Sequence, residues 1–266
     1  MKTLLKIFGQ TILFVILTIL TQIGGIVYLI SSVVHRKVKW KNRFKPLITF
    51  VIIYNIFTFL IVPMIAPMFG RERVKNSDKI HVASYFTIIC NRNYVRPALN
   101  ELLEKTEKKL SGTAIQINYL DANFPFINRF PLLPHLSHND GKKLDLSFVY
   151  ENNKGQISTQ QKSNSGYGVF VNPLKNEKNQ TQKCLNAGYF QYDFTKYVTL
   201  GSKNRDLVFS KKGTKKLIQA ILKNKNLGKL FIEPHLKTRM NLNDSRIRFH
   251  GCRAVRHDDH IHIQLK

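Results

Sequence analysis

Five of the nine histidines fall in two short segments of the 266-residue chain. The first, PLLPHLSHNDGKKLDLSF at 131–148, carries His135, His138 and Asp145. The second, RHDDHIHIQL at 256–265, carries His257, Asp258, Asp259, His260 and His262. Imidazoles and a carboxylate are the donors of a catalytic metal site, which takes three protein ligands and keeps one position open. His138, Asp145 and one histidine of the His260/His262 pair supply such a set. The remaining histidines are then free for proton transfer beside it.

The elements that must position these residues are legible as strands. In a strand over 254–264, side chains alternate faces, so His260 and His262 point the same way. Leu144, Leu146 and Phe148 alternate with Asp145 and Ser147, which predicts a second strand with Asp145 on its polar face. Either motif alone is weak, because a His-x-His pair or a lone His and Asp seven apart arises readily by chance. Together, each at a strand edge, they carry more. Further strands are expected at 115–119, 229–233 and 246–252. Leu99, Leu102, Leu103, Thr106 and Leu110 share one helical face, with Gly112 as a stop signal, and Leu217, Ile218, Ile221 and Leu222 mark a second amphipathic helix. Residues 123–134 read as a Phe- and Pro-rich loop, and 151–165 as a surface loop within an insertion reaching to 212. No internal repeat is present. The order predicts an α+β domain built on an antiparallel sheet.

At this point the two segments resemble a known group. HNDGKKLD at 138–145 followed by HIH at 260–262 looks like the HxxxxxxD and HxH motifs of the LAS metallopeptidases, which include lysostaphin-type enzymes, D-Ala-D-Ala peptidases and the Hedgehog signalling domain. The pattern of His135, His138, Gly141 and Asp145, with HDDHIH at 257–262, is most similar to the penicillin-insensitive murein endopeptidases, and FIEPHLK at 231–237 resembles the turn before their second segment. The resemblance implies a LAS/Hedgehog-like zinc-peptidase fold with zinc held by His138, Asp145 and His262. It implies His260 as the catalytic histidine, with His257 and His135 lining the site. Asp258 or Asp259 is expected to hold a histidine N–H from behind, and Asp121 to face the site. The implied activity is hydrolysis of an amide bond in peptidoglycan peptides. The same resemblance admits a D,D-carboxypeptidase or dipeptidase, or a zinc-binding envelope module without catalysis. A membrane-anchored scaffold for anionic polymers is the reading if both motifs are coincidence.

Composition divides the chain in two. Residues 1–69 hold none of the 16 acidic residues and eight of the 42 Lys and Arg, so residues 70–266 carry a formal +18 of the total +26. The charge-free runs 7–34 and 46–69 each exceed the roughly 20 apolar residues that cross a bilayer core. We therefore expect a membrane anchor over 1–69 with two transmembrane helices, a linker over 70–80 and a metallopeptidase-like domain over 81–266. Six basic residues between the two runs, Arg36 to Lys45, predict a cytoplasmic loop. The N-terminus and the catalytic domain are then both expected on the extracytoplasmic side of the cytoplasmic membrane. Lys2, Lys6, Arg71 and Arg73 point the other way. The expected partners are the lipid bilayer and peptidoglycan or its peptides. So basic a domain is the ordinary mark of a nucleic-acid binder, but this topology argues against nucleic acid and no such motif occurs. Trp40 and Tyr28 fit interfacial anchors. His35 is expected at the membrane interface, and His81, His235 and His250 in structural or exposed places. Of Cys90, Cys184 and Cys252, any two can pair outside the cytoplasm.

Overall fold

The computed structural model describes residues 1–39 and 41–266. Trp40, expected as an interfacial anchor, lies outside the described residues. The amino-terminal part is helical: α1 spans Lys2–Thr21, α2 Gly24–Lys37 and α3 Lys45–Phe69. The run 7–34, expected as one span, is therefore two helices. The chain reverses at Gln22, whose φ is 66°, and the Thr21 hydroxyl accepts from the Gly24 N–H at 2.8 Å. Glycine is required at 25, because a Cβ there would lie 2.1 Å from Thr18 Oγ1 and 2.8 Å from the Phe14 ring. That absence lets α2 return along α1, so that Ile7 and Phe14 share a groove with Tyr28 and Arg36. α1 and α3 are long and apolar enough to cross a membrane. The 14 residues of α2 reach about 21 Å at 1.5 Å per residue, short of a bilayer core of about 30 Å. Within α3 the helix widens to a π turn over Phe57–Ile61, just before Pro63. Proline lacks the N–H for the regular bond and crowds the carbonyl four residues back.

Residues beyond 69 build an α+β domain. Its main sheet has six strands: β1 Ile80–Val82, β2 Ile117–Tyr119, β3 Lys143–Ser147, β4 Leu227–Phe231, β5 Ile247–Arg248 and β6 His260–Leu265. The order across the sheet is β5-β4-β6-β3-β2-β1. The central pairs β4–β6, β6–β3 and β3–β2 are antiparallel, whereas β5 pairs parallel with β4 and β1 with β2. The sheet is thus mixed, not antiparallel as expected. Parallel neighbours need a crossover of a dozen or more residues. α4, Pro97–Lys109, supplies one between β1 and β2, and the helix Pro234–Arg239 supplies the other between β4 and β5.

Leu144 and Leu146 of β3, Leu230 of β4 and Ile261 and Ile263 of β6 pack on one side. They meet Leu99, Leu102 and Leu103 of α4 and Leu217, Ile218 and Ile221 of α5, Lys211–Leu222. Each such buried side chain contributes roughly 1.5–3 kcal/mol relative to exposure. Period-2 alternation then sends Asp145, His260 and His262 to the other side of the sheet. That side is not solvated, as Asp145's place on a polar face suggested. The insertion after β3 covers it: Ser147 bonds Gln161, the Tyr167 hydroxyl reaches Asp145, and the Gly168 N–H donates to Asp259 at 2.7 Å. The insertion's small sheet of Tyr150–Glu151, Ile157–Ser158 and Val208–Phe209 packs on the apolar core. A helix, Gln180–Asn186, and a 3-10 turn, Phe190–Tyr197, complete the insertion. A disulfide joins Cys184 to Cys252, and Cys90 is free and buried. The stretch 70–80, expected as a linker, is packed into the domain at Arg71, Val74 and Ile80, with residues 75–78 exposed. Arg71 is 1% exposed and donates to the Phe124 carbonyl and the Asn128 side chain. Glu72–Arg73 pairs with Tyr94–Val95.

Candidate metal centre

The register of β3 against β6 sets Asp145 directly opposite His262, and opposed residues on one face are the closest neighbours a sheet provides. His262 Nδ1 lies 2.9 Å from Asp145 Oδ1. His138 arrives from the loop before β3, with its Nε2 3.1 Å from His262 Nδ1 and 3.2 Å from Asp145 Oδ1. Three donor atoms thus share one point, at separations close to the roughly 3.3 Å edge of a tetrahedron with bonds of about 2.0–2.1 Å. His138 Nδ1 sits 2.6 Å from the Ala122 carbonyl. A carbonyl only accepts, so Nδ1 carries the proton and Nε2 presents its lone pair to that point.

His135 competes as a donor: His135, His138 and Asp145 form a buried group that could hold a metal ion, their ligand atoms within 4.8 Å of one another. Its Nδ1 faces the other carboxylate oxygen, Asp145 Oδ2, at 3.0 Å, and Asp121 Oδ2 at 3.5 Å. His262 is therefore nearer than His135 to the point that His138 and Asp145 Oδ1 define. Burial is the largest influence on His262 and pushes its pKa down to about 3 despite Asp145, leaving a neutral imidazole able to donate a lone pair. Burial opposes ionisation of Asp145, yet His138, His260 and His135 hold its carboxyl well below the usual range.

His260 faces the same cavity. Its Nδ1 meets Asp259 Oδ1 at 2.5 Å. Its Nε2 is buried without a hydrogen-bond partner, 3.7 Å from Asp145 Oδ2. Burial lowers the His260 pKa, but Asp259 and Asp145 outweigh it and the net shift is upward. The His257 ring lies tilted against His260, centroids 4.7 Å apart. Burial, followed by the neighbouring histidines, drives its pKa well down, so it stays neutral. Of the two acids, Asp259 backs a histidine of the site, while Asp258 pairs with Arg256 and lies 3.8 Å from His235. Neither acid is a solvated turn residue, since both are fully buried. Asp121 does face the site, bridging His135 and Arg92.

A cavity of about 450 Å³ opens onto these groups. Leu133, Leu136, Phe194 and Val255 make much of its wall, with Arg253 and His250 among the polar lining. His250, expected in a structural or exposed place, stacks 5.4 Å from His257. His235 is buried against the Val171 carbonyl at 2.8 Å, which is structural. His81 and His35 make only local backbone contacts, to Asp78 and Ser31.

Sequence reasoning missed Tyr167. Its hydroxyl donates to Asp145 Oδ2 at 2.8 Å and accepts from the Asp121 N–H at 3.0 Å. Burial, with Asp145 and Asp121 adding, holds the phenol well above its ordinary pKa, so it remains a donor. The available signal was the triplet Gly166-Tyr167-Gly168 in the insertion. Both glycines have positive φ, and a Cβ would strike Leu120 at 2.2 Å or the Thr195 carbonyl at 2.4 Å. The turn they permit drives Tyr167 down onto the sheet. Glu233 was also missed. It accepts from the Tyr192 hydroxyl at 2.7 Å and the His257 N–H at 3.0 Å, tying the 3-10 turn to the histidine segment. No family model matches the chain, and no curated protein matches it.

Proposed function

We propose that this protein is a membrane-anchored zinc-dependent peptidase hydrolysing an amide bond in peptidoglycan peptides, with His138, Asp145 and His262 as ligands. The observation that carries the reading is the convergence of His138 Nε2, Asp145 Oδ1 and His262 Nδ1 to within 3.2 Å of one another, beside an unpartnered His260 Nε2. Two imidazole nitrogens and one carboxylate oxygen at these separations are a donor set that would suit zinc. The family resemblance supplies the substrate class.

Zinc bound there supplies Lewis-acid polarisation of an amide carbonyl and acidification of a water molecule. The residues do the rest. Asp259 holds the Nδ1–H of His260 and so directs Nε2 into the cavity, where it takes a proton from the attacking water and returns it to the leaving amine. Tyr167 and His135 hold the Asp145 oxygen that is not a ligand. His257, kept neutral, packs behind His260 and fixes its ring. The apolar wall of Leu133, Leu136 and Phe194 excludes water from the amide and accommodates small alkyl side chains.

The pairing of an N-terminal hairpin with α3 also revises the topology. Lys6 near the start of α1 shares an end of the three helices with Arg36 and Lys37 at the end of α2 and Lys45 at the start of α3, so these charges agree, while Arg71 and Arg73 follow the other end. The end that carries Lys6 and Lys45 is cytoplasmic by charge, and the peptidase domain lies outside. A disulfide between Cys184 and Cys252 fits an extracytoplasmic domain.

The test uses the purified full-length protein. Metal content is measured by mass spectrometry, and muropeptide digests are analysed with and without a chelator. Stoichiometric zinc with chelator-sensitive release of peptide fragments is expected. Absence of zinc refutes the metal reading, and zinc without cleavage of any muropeptide refutes the peptidase reading.

A further inference from the structure

We propose that the domain sits in the head-group layer of the bilayer, on an apolar surface of Tyr85, Phe86, Ile89 and Ile127, with the mouth of the metal-site cavity at the membrane. The inference rests on reading α1 and α3 as membrane helices, and deepens the proposed function by stating where the amide substrate is met.

The depth of contact along α3 is the first observation. With Lys45 at the inner boundary, a core of about 30 Å ends some 20 residues later at 1.5 Å per residue, near Ile65. The domain nevertheless grips α3 well below that level. The Tyr54 hydroxyl donates to the Ile89 carbonyl at 2.6 Å. The Asn91 amide donates to Tyr54 Oη and to Thr58 Oγ1, both at 3.3 Å, and Arg73 donates to the Thr58 carbonyl. Tyr54 stands roughly 14 Å along the helix from Lys45 and Thr58 roughly 20 Å. The segment carrying Ile89 and Asn91 therefore reaches below the outer boundary of the core. At that depth the Ile89 carbonyl, the Tyr54 hydroxyl and the Asn91 amide nitrogen are paired within the protein, the kind of pairing by which irregular backbone is tolerated in a membrane.

The outward side chains of the same segment are the second observation. Tyr85, Phe86 and Ile89 of the short helix Tyr85–Ile89 are 77%, 44% and 52% exposed. A water-facing turn has no reason to present three large apolar groups together, whereas a lipid-facing one does. On α3, to which Tyr54 ties the Ile89 carbonyl, Phe59, Leu60, Met64 and Met68 are also exposed. Ile127 is 55% exposed. It follows Phe126, which lies edge-on to Phe69 at 5.0 Å and donates its N–H to Gln22 Oε1 at 2.9 Å. The turn between α1 and α2 and the end of α3 thus both meet the segment that carries Ile127.

The third observation connects the rim to the site. Asn91 holds α3, and the next residue, Arg92, donates to the carbonyl of Leu133 at the cavity lip. Residue and side-chain lengths place that lip within about 20 Å of Tyr54. Leu133 and Leu136, both more than half exposed, continue the loop that begins at Ile127. A substrate carried at the bilayer surface reaches the cavity without leaving the head-group layer.

The experiment places single nitroxide labels on the full-length chain in phosphatidylethanolamine–phosphatidylglycerol vesicles. Phe86→Cys and Ile127→Cys report on the rim, Ile52→Cys on the free side of α3, and Lys225→Cys on a lysine-lined turn of the domain. Cys184 and Cys252 are paired and Cys90 is buried, so the native cysteines stay unlabelled. Power saturation compares collision with oxygen against a water-soluble nickel chelate. The ratio at 86 and 127 is expected to lie several-fold above that at 225 and close to that at 52. Values at 86 and 127 equal to 225, with 52 still lipid-like, overturn the proposal. A water-like value at 52 overturns the membrane reading itself, and this inference with it.

Discussion

Removing one oxygen from Tyr167 isolates the support of the proposed metal ligands from their identity. Tyr167→Phe keeps the ring that packs 4.6 Å from His135 and 5.1 Å from His260. It deletes a 2.8 Å hydrogen bond to Asp145 Oδ2 and leaves the buried Asp121 N–H without its 3.0 Å acceptor. A hydrogen bond to a charged group contributes about 1.5–3 kcal/mol, and stranding a buried donor costs about 1–3 kcal/mol. Part of each is recovered by relaxation around His135, so we expect a loss of about 3 kcal/mol in the metal-free protein. At roughly 3 °C per kcal/mol for a domain of this size, the Tm falls by about 9 °C. Partners behind a metal ligand typically alter affinity 10–100-fold. Zinc Kd, measured by competition with a chromophoric chelator, should weaken by about that factor. A lower Tm with unchanged zinc affinity would refute the argument, because it would mean that Tyr167 supports the fold and not the orientation of Asp145.

Other expected outcomes separate the roles within the site and the fold. His262→Ala should abolish stoichiometric zinc, while His260→Ala should keep zinc and lose turnover by about 10²–10⁴-fold, the range of a general acid–base group; full activity in His260→Ala contradicts its role. Reduction of Cys184–Cys252, which closes a separation of 68 residues, should cost about 4 kcal/mol in the chain-entropy limit. It should also raise proteolysis within the cavity wall at Phe190–Tyr197, read by limited digestion. Arg246 holds the Asp244 carboxyl down to about 2. A depressed folded-state pKa stabilises above the unfolded value near 3.8 and loses that effect as pH falls to about 2. Asp244→Asn should therefore destabilise at pH 7 and be neutral at pH 2 in denaturant titrations. Arg253→Ala discriminates the substrate end: a rise in KM for peptides with a free carboxylate alone favours a carboxypeptidase, and a uniform effect favours an endopeptidase.

The sequence by itself determined what depends on local periodicity and residue type. Two-residue alternation put His260 and His262 on one face and Asp145 opposite Leu144 and Leu146. Hydropathy and charge marked the apolar helices and the basic loop, and apolar spacing found α4 and α5. What failed was long-range. The break at Gln22 is invisible to hydropathy, because it arises from a close approach of Gly25 to Thr18 and Phe14. The parallel edges of the sheet follow from how α4 and the helix Pro234–Arg239 cross over, which strand patterns do not encode. Only the register of β3 against β6 could place Asp145 across from His262. Only the folded insertion could bring Tyr167 to Asp145 and Cys184 to Cys252, across separations of 22 and 68 residues. Such pairings are fixed by the packing of the whole sheet and its cover, a property no short window of residues contains.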